Sequence, residues 1–115
     1  MIKYSEINLE EIKRIFLLNA REGNPGIYEL TWELGSWNLS IDDNYKIAKE
    51  VLLFLIEKEL VIIEKFKDLE KTEKLIDNPK LSLEEILNNP RNWYPCDEIY
   101  SIEITESGLE YLSAS

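Results

Sequence analysis

Residues 41–63 constrain the fold more than any other segment of this chain. Ile41, Tyr45, Ala48, Leu52 and Leu55 recur at helical spacing, and Val51, Leu53, Phe54 and Ile56 widen that stripe almost all round the cylinder. A helix with so little polar surface needs cover on most of its sides, so the pattern predicts a central, buried helix over about 41–59. Ser40 precedes it as a cap, and Asp42 and Asp43 fall in its first turn, at the positive end of the helix dipole. Residues 60–66, rich in β-branched and aromatic side chains, then read as a strand.

The remaining elements follow from local signals around that centre. Asn8 with Glu11 has capping-box spacing and predicts a first helix from about Leu9, with Ile12, Ile15, Phe16 and Ala20 on one face and Gly23 and Pro25 as the stop. Ile27, Leu30 and Leu34 predict a short second helix ending at Gly35, with Trp32 and Trp37 on it or just after it. Tyr100, Ile102 and Ile104 alternate with Ser101, Glu103 and Thr105 and predict a second strand, antiparallel to the first. Between the strands, 67–80 is charged and without useful period. Ser82 with Glu85 forms another capping box, flanked by Leu81 and Ile86 as a hydrophobic staple, and predicts a helix over about 83–88. Pro90 and Pro95 close this insertion, and Thr105 caps a final helical turn carrying Leu109 and Leu112. The expectation is one α+β domain over 1–115: three helices, a two-stranded antiparallel sheet with a helical insertion at about 67–98, and a short C-terminal helix. A chain of 115 residues can bury roughly 65% of its unfolded surface, enough for one core.

Thirteen basic against twenty-three acidic residues give a formal charge of −10, which repels nucleic acid and anionic lipid and attracts basic partners. The excess is C-terminal. From 81 to 115, Glu84, Glu85, Asp97, Glu98, Glu103, Glu106 and Glu110 face a single cation, Arg91, for a local charge of −6. No apolar run approaches the ~18–20 residues of a membrane span. Residues 1–11 carry acids and no apolar core of a secretory signal, and the lone Cys96 admits no internal disulfide, so a cytoplasmic protein is expected.

Groups that would carry catalysis are scarce. The chain has no His, which removes the usual general base near neutral pH, the Ser-His-Asp and Cys-His arrangements and His-rich metal sites. Cys96 has no second thiol for zinc, and Asp97 and Glu98 beside it disfavour its thiolate. The pairs Glu10-Glu11, Asp42-Asp43 and Glu84-Glu85 fall at helix starts, where adjacent side chains diverge by about 100° and serve the helix dipole. Gly23-Asn24-Pro25-Gly26 lacks the Lys-Ser/Thr of a phosphate loop and reads as a turn. We therefore expect a protein that is not an enzyme and needs no cofactor or metal. The aromatic residues are better candidates for function. Trp93 and Tyr94 lie between prolines in the insertion, and with Glu84, Glu85, Asp97, Glu98 and Glu103 they make up the expected partner-binding surface. Trp32, Trp37, Asp42 and Asp43 form the alternative.

The order of elements, with Glu59-Leu60-Val61-Ile62 leaving the third helix and Thr105-Glu106-Ser107-Gly108 leaving the second strand, resembles the winged-helix family. In its DNA-binding members the third helix reads the major groove, which implies a transcriptional regulator. Asp42 and Asp43 at the start of that helix oppose this, since they would face phosphates. In size, acidity and an insertion of the type LSLEEILNNPRNWYP (81–95) the chain also resembles small acidic bacterial immunity proteins. That likeness implies a non-catalytic protein that neutralises a basic toxin, such as a nuclease, by complementary charge.

Overall fold

Asn8 opens the first helix as its spacing predicts: its side-chain oxygen accepts the Glu11 N–H at 3.2 Å, and α1 runs over Leu9–Glu22. The computed structural model describes residues 7–67, 74–77, 83–94 and 99–114. Within them follow α2 (Ile27–Glu33), a 3₁₀ turn (Leu34–Trp37), α3 (Ile41–Glu57), β1 (Val61–Phe66), β2 (Lys74–Asp77), α4 (Leu83–Asn88), a second 3₁₀ turn (Pro90–Trp93), β3 (Ile99–Ile104) and α5 (Glu106–Ala114). The class is α+β, as expected. Ser82 and Leu81, the cap and staple proposed for α4, lie outside the described residues.

The sheet departs from expectation. It has three strands in the order β2-β1-β3, both pairings antiparallel, with Glu64 opposite Asp77 on one side and Ser101 on the other. β2 falls in the segment read as charged and aperiodic. With two apolar residues between Lys74 and Asp77 it has no pattern of its own, and it becomes a strand because β1 offers it a ladder. The outer side of β3 is also engaged: the Ile102 N–H donates to the Pro25 carbonyl at 3.1 Å, and Gly26 bridges Ser101. The segment between α1 and α2 thereby covers that edge.

Helix α3 is the centre, as its composition demands. Ile47, Ala48, Val51, Leu52, Leu55 and Ile56 are buried in one cluster with Ile12, Phe16 and Leu17 of α1, Leu30 of α2, Val61 and Ile63 of β1, Ile102 of β3, Leu87 of α4 and Leu112 of α5. Ser40 caps it by accepting the Asp43 N–H at 3.1 Å. It stops two residues earlier than the expected 59. Glu59 takes a left-handed conformation (φ 58), the Glu59 N–H reaches the Ile56 carbonyl and the Leu60 N–H reaches that of Leu55, a Schellman closure of the last turn.

Polar contacts on the surface tie α1 to its neighbours. Tyr111 Oη of α5 donates to Glu10 at 2.6 Å, and Lys13 Nζ bonds Glu10 at 2.9 Å while resting 3.8 Å from the Phe54 ring centre. The Tyr111 hydroxyl and then Lys13 hold the Glu10 carboxyl below its ordinary value, and Glu10 in turn raises Tyr111. Glu10 therefore stabilises above the usual carboxylate range, an effect lost as pH falls through its lowered pKa. Tyr111 contributes below its usual range, and that is lost as pH rises through its raised pKa.

The last helix is fixed by close approach. Thr105 Oγ1 donates to the Glu59 carbonyl at 2.6 Å and accepts the Gly108 N–H at 3.1 Å, so the predicted cap also ties α5 to the end of α3. A Cβ at Gly108 would collide with the Leu60 carbonyl oxygen, backbone that cannot step aside. Of the two leucines that α5 carries, Leu112 is buried and Leu109 points outward at 43% exposure. Gly108→Ala should therefore destabilise the fold by about 1–3 kcal/mol although alanine is the better helix former, and a urea melt checks this.

Candidate functional site

The insertion folds back along α3. Pro90 opens the turn that swings the chain, Asn89 Oδ1 caps it by accepting the Arg91 N–H at 3.1 Å, and Asn92 Nδ2 donates to the Ile86 carbonyl at 2.9 Å. This geometry drives Trp93 inward. Its indole is 2% exposed, its Nε1–H donates to the Leu87 carbonyl at 2.9 Å, and its ring meets Tyr45 of α3 edge to face with centroids 6.0 Å apart.

Between α3 and the insertion lies a groove in two parts. The first, of about 460 Å³, is lined by Ile41, Asp42, Tyr45, Lys46, Lys49, Pro90, Trp93 and Tyr94. The second, of about 360 Å³, is lined by Lys49, Glu50, Leu53, Glu84, Leu87 and Asn88. Lys49 belongs to both. At the mouth of the first part stand two large apolar side chains in water, Ile41 at 76% exposure and Tyr94 at 56%. The Tyr94 ring lies 6.4 Å from that of Tyr45, and the two hydroxyls share a hydrogen bond. Desolvation, then that hydrogen bond and the Tyr94 charge, push Tyr45 up to about 12.

The structure divides the surface expected from the sequence. Tyr94 and Glu84 line the groove, and Asp42, from the alternative set, joins them there. Glu85 is exposed in the first turn of α4 but does not line it. Trp93 forms the floor rather than an exposed anchor, because its apolar ring and its one donor are both satisfied inside. Glu103 lies elsewhere, on β3 opposite Ile62. Asp97 and Glu98 lie outside the described residues. Trp37 packs against the core and Asp43 is half-buried beside its cap, whereas Trp32 is exposed and meets Tyr28 edge to face at 5.2 Å. In the sequence Ile41 and Tyr45 belong only to the apolar stripe of α3. A signal for Ile41 is its place at the helix start, an aliphatic residue flanked by Ser40 and Asp42 with the polar Asn44 three residues on.

No family model, curated protein or solved structure matches this chain. Its function must be read from the groove itself. The groove is aromatic and aliphatic at its mouth, carries both signs of charge along its length, and has walls from two elements packed on one core, which suits a partner that brings apolar anchors and ionic groups together.

The tyrosine pair gives a direct check. An absorbance titration should show one phenol ionising near pH 12, and Tyr94→Phe should bring it down. Because the folded pKa is raised, the pair's contribution to stability is complete below about pH 10 and is lost as pH climbs towards 12.

Proposed function

We propose that this chain is a non-catalytic protein-binding domain of the immunity-protein kind, which captures and neutralises a basic protein by way of the groove between α3 and the insertion. The observation that carries the reading is the exposure of Ile41 and Tyr94 at the mouth of that groove, over a floor of Tyr45 and Trp93. Exposed aromatic and aliphatic side chains flanking a preformed cleft have the make-up of interface anchors. The charge of −10 supplies the steering, because long-range attraction speeds encounter with a basic partner while the anchors set its residence.

The runner-up is a winged-helix DNA-binding regulator, and one observation favours its fold. The order α1, a segment bridging β3 at Gly26, α2, α3, β1, insertion, β3 supports the winged-helix likeness. The same packing weighs against DNA. A recognition helix must project into the major groove, whereas here Glu84, Leu87, Asn88, Pro90 and Tyr94 of the insertion flank α3 along the side that carries Lys46 and Lys49. Asp42 in the first turn is exposed where a phosphate would lie.

Selection of a random twelve-residue display library on the intact protein tests the proposal, with a 30-base-pair duplex titrated at low salt beside it. Enriched peptides should carry Lys or Arg beside large apolar residues. They should bind Ile41→Ser and Tyr94→Ala about 10- to 30-fold more weakly, as truncated anchors require, and the duplex should not saturate. Peptides indifferent to both substitutions, or tight duplex binding that persists in moderate salt, would overturn it.

A further inference from the structure

Two acids that do not reach the groove, Glu59 and Glu106, stand at another recess. At the junction of α3, β1 and α5 a recess of about 290 Å³ is lined by Ile56, Glu59, Val61, Ile62, Thr105, Glu106 and Ser107, none of which lines the groove. Its floor is aliphatic. Ile56 and Val61 are buried and Ile62 is half-buried, with Glu103 opposite Ile62 on β3. Leu109 and Glu110 follow Glu106 at i+3 and i+4, so they extend the rim along the same face of α5, and Leu109 is exposed.

From this juxtaposition we infer that the recess is a second docking surface, which takes a basic protein segment presenting an aliphatic side chain between two cations. The occupant follows from complementarity. An aliphatic side chain suits the Ile56, Val61 and Ile62 floor, and flanking Lys or Arg meet Glu59 and Glu106 at the recess and Glu110 one turn along α5. A second copy of the chain is disfavoured by its own charge of −10, and nucleic acid by the same sign. The walls are preorganised, since Thr105 bonds the Glu59 carbonyl through Oγ1 and the Leu60 carbonyl through its N–H at 3.0 Å, and Gly108 lets α5 close onto Leu60. Glu59 adds a specific clue. It holds φ 58, a conformation that glycine takes without strain, and so places a carboxylate on the rim at a cost in stability.

The test is an NMR titration of the ¹⁵N-labelled full chain with the peptide acetyl-Arg-Leu-Arg-amide and, as control, acetyl-Arg-Ser-Arg-amide. The leucine peptide should give saturable shifts centred on Ile62, Glu106, Leu109 and Glu110, several-fold tighter than the serine peptide. Glu106→Lys with Glu110→Lys should weaken it at least tenfold, and Leu109→Ser about threefold, with melting temperatures near that of the unsubstituted chain. Glu59→Gly should separate the two roles of that residue, raising the melting temperature by about 2–4 °C while weakening the peptide. Absence of saturable shifts, shifts centred on Tyr45 and Tyr94, or a Glu59→Gly protein that melts lower and binds as well would overturn the assignment. Since the groove substitutions Ile41→Ser and Tyr94→Ala leave this recess intact, failure here and failure of the groove reading are distinguishable.

Discussion

The packing of α3 is the interaction on which the rest depends. Its apolar surface exceeds what one partner can cover, so α1, α2 and the sheet close on it from several directions, α5 packs behind them on α1 and β3, and the insertion covers part of what is left. Trp93 is the means of that last closure. Its ring lies against Tyr45, its indole N–H is held by Leu87, and removing such a buried indole costs about 3–5 kcal/mol. The segment that interrupts the two longer strands is therefore part of the core, and the groove exists because the insertion covers α3 only partly.

The proposed function rests on where this cover ends. Ile41 lies one turn before Tyr45, past the reach of the core, and Tyr94 lies one residue past Trp93 at the other wall. Ile41 stands between the half-buried Leu39 and Tyr45, Tyr94 follows the buried Trp93, and together they leave an aromatic and aliphatic mouth facing water. Helix α3, which the winged-helix resemblance would make the DNA-reading element, is flanked by that wall and begins with an exposed Asp42. On the proposed reading, in which the partner is a basic protein, charge and packing act at different stages of capture: the field governs encounter and the desolvated anchors govern dissociation.

Much of this architecture was legible in the sequence because it rests on local chemistry. Asn8, Ser40 and Thr105 cap their helices as their spacing requires, and the apolar richness of 41–57 marks the central helix. What was not legible depends on contacts distant in sequence. β2 is a strand only because β1 lies beside it, and the left-handed Glu59 that ends α3 carries no glycine to announce it. The candidate surface was half legible for a related reason. Counting acids along the chain put Glu84 and Glu103 together, but one faces the groove and the other sits opposite Ile62, because a strand and a helix of the same segment need not share a face. Trp93 and Tyr94 are adjacent in sequence, yet one is floor and the other mouth.

Residues 83–93 are packed on α3 as a built wall, and amide hydrogen exchange at residue resolution tests this most directly. A docked insertion predicts that the amides of Asn89, Asn92 and Tyr94, bonded to Ile86, Asn89 and Arg91, and the Trp93 indole N–H exchange orders of magnitude more slowly than free peptide, with Leu53→Ala speeding them together. Exchange of these groups at the rate of an unstructured chain, while α3 itself stays protected, would mean that no wall stands beside α3 and would contradict the groove and the function drawn from it.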